Sequence, residues 1–189
     1  MKVTYIALSL ATFIVTTGEL PKPKTTVEIP KKIDAVTLKE SIDYFADFHR
    51  IPRTLMYSSA EQESPWKYCK YQTDSTYKAH KQIGKAGELG PFQIKPNTAR
   101  LVWHDNKISD KVLHWKLLHN IPYNVETAAR LLEGDYDFYS RRFKTVDKIW
   151  KFTITAYNLG RYKANHIPKP NAYALSVFNR WVNKFGKGQ

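Results

Sequence analysis

The 189-residue chain contains a single cysteine, Cys69, so it cannot form an intrachain disulfide. Zinc sites built on paired cysteines are excluded for the same reason, and the 6 histidines show no metal-ligand spacing. Glycine is scarce at 8 residues, and no glycine loop is followed by the Lys-Ser or Lys-Thr of a phosphate-binding loop. We therefore predict neither a metal nor an organic cofactor.

Acidic residues are outnumbered in this chain, with 17 carboxylates against 30 lysines and arginines and a net charge of +13. This surplus favours an anionic partner, and nucleic acid, anionic lipid and bacterial cell wall all fit. The alternative is a solvated basic surface without a specific role. No helix-turn-helix, zinc or RNA-binding sheet signature is present, so no specific nucleic-acid partner is predicted.

Long apolar runs are absent except at residues 3–15, directly after Lys2. This stretch has the length of a signal-peptide core and is short for a spanning helix, which needs about 20 residues. We predict that residues 1–18 are an export signal or a membrane anchor, which leaves a membrane contact open; the alternative is a buried first element of the fold. Residues 19–35 alternate proline with lysine, which predicts an extended linker.

Residues 36–189 are predicted to form one folded domain that is mainly α-helical. Thr37 and Glu40 match a capping box, and Pro96 suits the first turn of another helix. Hydrophobic periodicity and these signals predict helices near residues 38–48, 52–63, 97–103, 111–118, 124–132, 146–157 and 172–185. The polar, tyrosine-rich residues 67–90, punctuated by glycines, predict a small irregular or β lobe.

Glu63 is the first candidate for chemistry, because it ends an apolar helix beside Ser64 and close to Trp66. Burial there raises the pKa of a carboxyl group, which is what a glycosidic general acid requires. A helix-end carboxylate that faces solvent is the plainer interpretation of the same residue.

Two further segments carry possible site residues. Residues 87–94 read Gly-Glu-Leu-Gly-Pro-Phe-Gln-Ile. The glycines suggest a backbone that lies close to a ligand, and Gln93 could then form a hydrogen bond with a sugar. The alternative is a turn before a helix. Residues 157–160 read Tyr-Asn-Leu-Gly, with Gly160 placed as a helix C-cap. By itself the second pattern is typical of a capped core helix.

Taken in order, the three segments resemble the soluble lytic transglycosylases, a family of the lysozyme-like superfamily that cleaves peptidoglycan. The pattern is Glu-Ser, then Gly-x-x-Gly-x-x-Gln-Ile-x-Pro-x-Thr-Ala, then Tyr-Asn-x-Gly, within about residues 36–183. The resemblance implies an α+β lysozyme-like domain whose catalytic residue is Glu63. It implies that the supporting or substrate-binding residues are Ser64, Gln93, Tyr157 and Asn158. Glu88, in the same loop as Gln93, is a further candidate for binding the substrate. Tyr157 would orient Glu63 or the acetamido group of the substrate.

The activity implied by this resemblance is cleavage of the bond between N-acetylmuramic acid and N-acetylglucosamine, with formation of a 1,6-anhydro ring. The partner would be the glycan strands of peptidoglycan, met by an exported, periplasmic or membrane-anchored enzyme, or a virion-associated one if a phage encodes it. The enzyme would act alone or within a larger wall-penetrating machine. A hydrolytic lysozyme and an inactive wall-binding or virion structural protein are the alternatives.

Two departures from the family pattern bear on this choice. Glu88 stands where alanine is common, and Pro91-Phe92 stands where Leu-Met is common. A second carboxylate beside a sugar cleft is what an inverting hydrolase uses to hold its water. The alternative is that Glu88 pairs with Lys85 at the surface and has no part in the chemistry.

The charge surplus makes a prediction of its own. If the basic surface supplies affinity for the wall, binding of the protein to insoluble peptidoglycan weakens steeply with salt, because charges are screened beyond about 8 Å at physiological ionic strength. Sedimentation of the protein with peptidoglycan at low and high salt measures this. Equal binding at both salt concentrations would leave the charge without this role.

Overall fold

The computed structural model describes residues 37–64 and 82–185. The predicted mainly α-helical class is confirmed in this part, which holds eight helices. In chain order they are α1 (Leu38–Phe48), α2 (Arg53–Glu63), α3 (Pro96–Trp103), α4 (Asp110–His119), α5 (Ile121–Ser140), α6 (Val146–Leu159), α7 (Arg161–Ala164) and α8 (Ala172–Phe185).

Three predicted segments lie outside the described residues in whole or in most part: the signal or anchor at 1–18, the linker at 19–35 and the tyrosine-rich segment at 67–90. Among the helices of 37–64 and 82–185, none combines the length and apolar character needed to cross a membrane.

Local capping sets where the helices begin. The Thr37 hydroxyl accepts a hydrogen bond from the Glu40 amide at 3.2 Å and the Glu40 carboxylate accepts one from the Thr37 amide at 2.8 Å, so the predicted capping box is confirmed. Helix α5 is longer than the predicted 124–132 in both directions. It begins early because the Asn120 side chain accepts from the Tyr123 amide at 2.9 Å, and its buried face continues to Tyr139.

Helix α5 lies at the centre of the fold, where it packs against α1, α3, α4 and α6. Helix α8 packs across both α6 and α2. The inner face of α2 is fully buried at Leu55, Met56 and Ala60, so the helix is anchored in the core up to its last turn. This anchoring fixes the direction in which Glu63, the last residue of α2, leaves the helix.

A loop over residues 82–95 connects the gap after α2 to α3, and within it the predicted β lobe is not confirmed. Only two isolated antiparallel bridges occur, Ile83 with Leu89 and Leu89 with Ile94. Pairing cannot extend past Leu89 because the chain turns back at once, with Gly90 and Gln93 both at positive φ. The remainder of the predicted lobe, residues 67–81, lies outside the described part of the chain.

The side chain of Asn124 attaches this loop to the helices. It is fully buried on α5, and its Nδ2 donates to the carbonyls of Leu89 at 2.9 Å and Leu117 at 3.1 Å, while its Oδ1 accepts from the Phe92 amide at 3.0 Å. Gly90 has a φ of +75°, and a Cβ there would lie 2.4 Å from Asn124 Nδ2. The Leu117 carbonyl oxygen would lie equally close, so packing inside the protein and the positive φ both require glycine here.

Replacement of Asn124 by alanine is expected to lower the free energy of unfolding by about 2–4 kcal/mol, since a buried amide and two buried carbonyls would lose their partner. Urea denaturation of the full chain measures the change. The exposed Asn106, which makes no hydrogen bond within the described residues, is the matched control, and Asn106→Ala should change stability little. A similar small effect for both variants would contradict the role given to Asn124.

Candidate active site

A cleft of about 1050 Å³ opens between the end of α2, the 82–95 loop, α3, the middle of α5 and the end of α6. It gathers side chains that are far apart in sequence. Five of the six residues predicted from the sequence line it: Glu63, Glu88, Gln93, Tyr157 and Asn158. Ser64 is buried behind the end of α2 instead, and its hydroxyl donates to the Ala60 carbonyl at 3.4 Å.

Glu63 enters the cleft from the last turn of α2. The pKa of its carboxyl group is raised to about 7: burial is the main cause, a hydrogen bond from Tyr173 partly opposes the rise, and the negative charge of Glu88 adds to it. The Tyr173 hydroxyl donates to Glu63 Oε1 at 2.5 Å. Glu63 Oε2 has no hydrogen-bond partner among the described residues, so it is the oxygen that can carry and deliver a proton.

Two partly buried tyrosines, Tyr157 and Tyr173, border this carboxyl group. Burial is the main reason that the pKa of each lies well above 10, and the Glu63 charge adds to it. The predicted contact between Tyr157 and Glu63 is replaced by another, because the Tyr157 hydroxyl donates to the Phe92 carbonyl at 2.6 Å. Tyr173, which orients Glu63, received no catalytic role from the sequence, where it was assigned only to the last predicted helix, 172–185.

Glu88 is electrostatically unlike Glu63 although both line the cleft. Burial alone would raise the pKa of Glu88, but backbone hydrogen bonds and Lys95 outweigh it and lower the pKa below its usual 4.5. Its Oε2 accepts from the Ala86 amide at 3.0 Å, and its Oε1 lies 3.4 Å from Lys95 Nζ. The cleft thus holds one carboxyl group that is about half protonated at neutral pH and one that is ionised there.

The predicted sugar contact of Gln93 is limited by the loop itself. Its Nε2 donates to the carbonyls of Gln82 at 3.1 Å and Gly90 at 2.9 Å, so the amide nitrogen holds the loop closed. A Cβ on Gly84 would lie 2.5 Å from Gln93 Oε1 and from Glu88 Oε2. Gly84 is therefore the position that lets these two side chains pack over the loop.

Asn158 lies at the exposed end of α6, within the wall of the cleft. Its Oδ1 accepts from Asn171 Nδ2 at 2.8 Å, and Asn171 Oδ1 caps α8 by accepting from the Ala174 amide at 2.8 Å. The Asn158 Nδ2 group has no hydrogen-bond acceptor in the described ranges and is free to donate to a ligand.

Two observations complete the description of the site. Within residues 37–64 and 82–185, no group of three His, Cys, Asp or Glu side chains is arranged to hold a metal ion. Comparisons with protein-family models and with curated proteins give no match to this chain.

Tyr173→Phe is expected to raise the pKa of Glu63 above 7. The hydrogen bond from Tyr173 stabilises the ionised carboxylate, and this variant removes it. A carbon-13 NMR titration of the Glu63 side chain, assigned by difference with Glu63→Gln, measures the shift. Tyr157→Phe is the matched control and should leave the titration nearly unchanged, since the Tyr157 hydroxyl bonds to the Phe92 carbonyl. A Glu63 pKa that is unchanged or lower in Tyr173→Phe would contradict this geometry.

Proposed function

We propose that this protein is a peptidoglycan lytic transglycosylase that cleaves the β-1,4 bond between N-acetylmuramic acid and N-acetylglucosamine. The observation that carries the proposal is the state of Glu63, a carboxyl group with a pKa of about 7 in a cleft of about 1050 Å³. A general acid works best when its pKa lies near the working pH. A cleft of this volume leaves room for a segment of a polymer beside that group.

In the first step Glu63 donates its proton to the glycosidic oxygen, and the bond from that oxygen to the muramic C1 breaks. The free Oε2 is the donor, while Tyr173 holds Oε1 and so fixes the plane of the carboxyl group. The Tyr173 hydrogen bond also stabilises the carboxylate that the proton transfer leaves behind. The acetamido group of the substrate stabilises the cationic centre at C1, so no second protein carboxylate is needed for this step.

In the second step the Glu63 carboxylate accepts the proton of the muramic 6-hydroxyl group. The oxygen of that hydroxyl attacks C1 and closes a 1,6-anhydro ring, so Glu63 ends the cycle protonated and no water is consumed. Tyr157 supports the wall of the cleft through the Phe92 carbonyl. The Asn158 amide nitrogen would donate to the sugar, since only the Asn158 oxygen is engaged, by Asn171.

Independent features of the sequence support the same function. The motifs at residues 63–64, 87–99 and 157–160 resemble those of lytic transglycosylases, and the net charge of +13 suits an anionic cell wall. Such an enzyme has to reach the wall, and we propose residues 1–18 as its export signal or anchor and residues 19–35 as its tether. Glycan strands are then its partner, alone or within a wall-penetrating machine.

A hydrolytic lysozyme is the second candidate, and Glu88 is the observation that favours it. An ionised carboxylate in the same cleft as a protonated one is the pair that an inverting glycosidase needs. Both Glu88 oxygens, however, already face protein groups, namely the Ala86 amide and Lys95. This occupancy leaves Glu88 poorly placed to activate a water, so we favour attack by the 6-hydroxyl group of the substrate.

Glu63→Gln is expected to reduce the cleavage of peptidoglycan by at least about 10²–10⁴-fold, because the amide has no proton to donate. Zymography and turbidity assays on purified peptidoglycan measure the loss. Glu61→Gln, two residues earlier in α2, is the matched control and should retain activity, since Glu61 contacts Arg180 and does not line the cleft. Cleavage by Glu63→Gln at the wild-type rate would refute the assignment.

The same variant also tests the raised pKa of Glu63 through the pH dependence of stability. Because the pKa of Glu63 is about 7 in the folded protein and near 4.5 when unfolded, the contribution of Glu63 to stability falls as pH rises from 4.5 through 7. Glu63→Gln removes this loss, so its advantage in unfolding free energy over wild type should grow by about 3 kcal/mol between pH 4 and pH 8. Thermal denaturation at the two pH values measures it, and a constant difference would contradict the raised pKa.

A further inference from the structure

Arg161 forms an ion pair with a buried carboxylate in the cleft. Its Nε donates to Asp135 Oδ1 at 2.6 Å, and the Asp135 side chain is only 6% exposed whereas that of Arg161 is 46% exposed. The guanidinium also lies over the Phe138 ring, 4.9 Å from its centre. Because a buried carboxylate is costly without its partner, Asp135 fixes the position of the arginine.

The ion pair uses only one edge of the guanidinium group. Both Nη groups of Arg161 have no hydrogen-bond acceptor within residues 37–64 and 82–185, and the side chain lines the cleft. A planar guanidinium held at Nε presents its remaining N–H groups as a fork, which matches the two oxygens of a carboxylate. The arrangement is that of a prepared anion-binding group rather than of a surface charge.

Arg161 and Glu63 line the same cleft, Glu63 from the last turn of α2 and Arg161 from the first residue of α7. Arg161 follows Tyr157, which also lines the cleft, by four residues. A polymer that fills the cleft across Glu63 therefore also meets the wall that Arg161 forms.

We propose that Arg161 binds a carboxylate of the stem peptide on the glycan strand, so that peptide-bearing strands are the preferred substrate. This inference rests on the function proposed above. The sugar rings of such a strand are uncharged, and a fixed guanidinium in their cleft gains little from them. The stem peptide supplies carboxylates next to the scissile bond, which makes it the part of the substrate that matches Arg161.

The test compares binding of two soluble glycan strands that differ only in the stem-peptide carboxylates, which are free in one and converted to methylamides in the other. Both strands are prepared without phosphate-containing wall polymers. Calorimetry uses full-length protein carrying Glu63→Gln. We expect about 10- to 100-fold weaker binding of the amidated strand, as for loss of a charged hydrogen bond. Adding Arg161→Gln should weaken binding of the free-carboxylate strand to the affinity of the amidated strand. Binding of the amidated strand should stay unchanged.

Arg142 provides the matched control, because its guanidinium packs 4.0 Å from the centre of the same Phe138 ring but does not line the cleft. Arg142→Gln should preserve the preference for free carboxylates. Arg161→Gln leaves Asp135 buried without its partner, so the double variant Asp135→Asn/Arg161→Gln is made as well and should bind as the single variant does.

Each outcome separates the subsite from the proposed function. The proposed carboxylate subsite is wrong if the protein that retains Arg161 binds the two strands equally. It is also wrong if the preference for free carboxylates survives in both Arg161→Gln and the double variant. Binding of neither strand would overturn the subsite together with the glycan-binding function. A preference that depends on Arg161 supports the subsite, and the products released by wild-type protein then decide the reaction independently.

Discussion

The hydrogen bonds of the Asn124 side chain are the constraint on which the cleft depends. This one buried amide joins α5 to the end of α4 and to two points of the 82–95 loop. The loop carries Glu88 and Gln93, and its Phe92 carbonyl accepts the hydrogen bond from Tyr157 on α6. A loop with only two isolated bridges of its own therefore becomes a rigid wall, because a helix core supplies the partners that a sheet would otherwise supply.

The chemistry of the site follows from how two nearby carboxyl groups are surrounded. Glu63 ends a buried helix and accepts from a single donor among the described residues, Tyr173, so burial dominates and its pKa rises. Glu88 lies on a loop, where a backbone amide and Lys95 stabilise its negative charge. That charge in turn favours the protonated form of Glu63. One acid and one fixed anion thus arise from the same residue type, and the difference comes from neighbours rather than from distance to solvent alone.

Features with local causes could be predicted from the sequence. The capping box at Thr37, the proline at the start of α3 and Gly160 at the end of α6 each act through residues within one helical turn, and periodicity located the helices between them. The position of Glu63 at the end of a buried helix was predicted in the same way. Its partner Tyr173 is 110 residues away, and Arg161 meets Asp135 across 26 residues, so neither contact has a local signature. The hydrogen bonds from the Gln93 amide to the Gln82 and Gly90 carbonyls form only in the folded loop, so they could not be predicted either.

The central claim is that Glu63 serves the substrate's own hydroxyl group and activates no water, and the fate of solvent oxygen tests it most directly. Wild-type protein digests purified peptidoglycan in water enriched in oxygen-18, and mass spectrometry resolves the released muropeptides. The account predicts 1,6-anhydromuramic ends that lack one water and carry no oxygen-18. Reducing muramic ends labelled with oxygen-18 as the main product would contradict it and would assign the protein to the hydrolases.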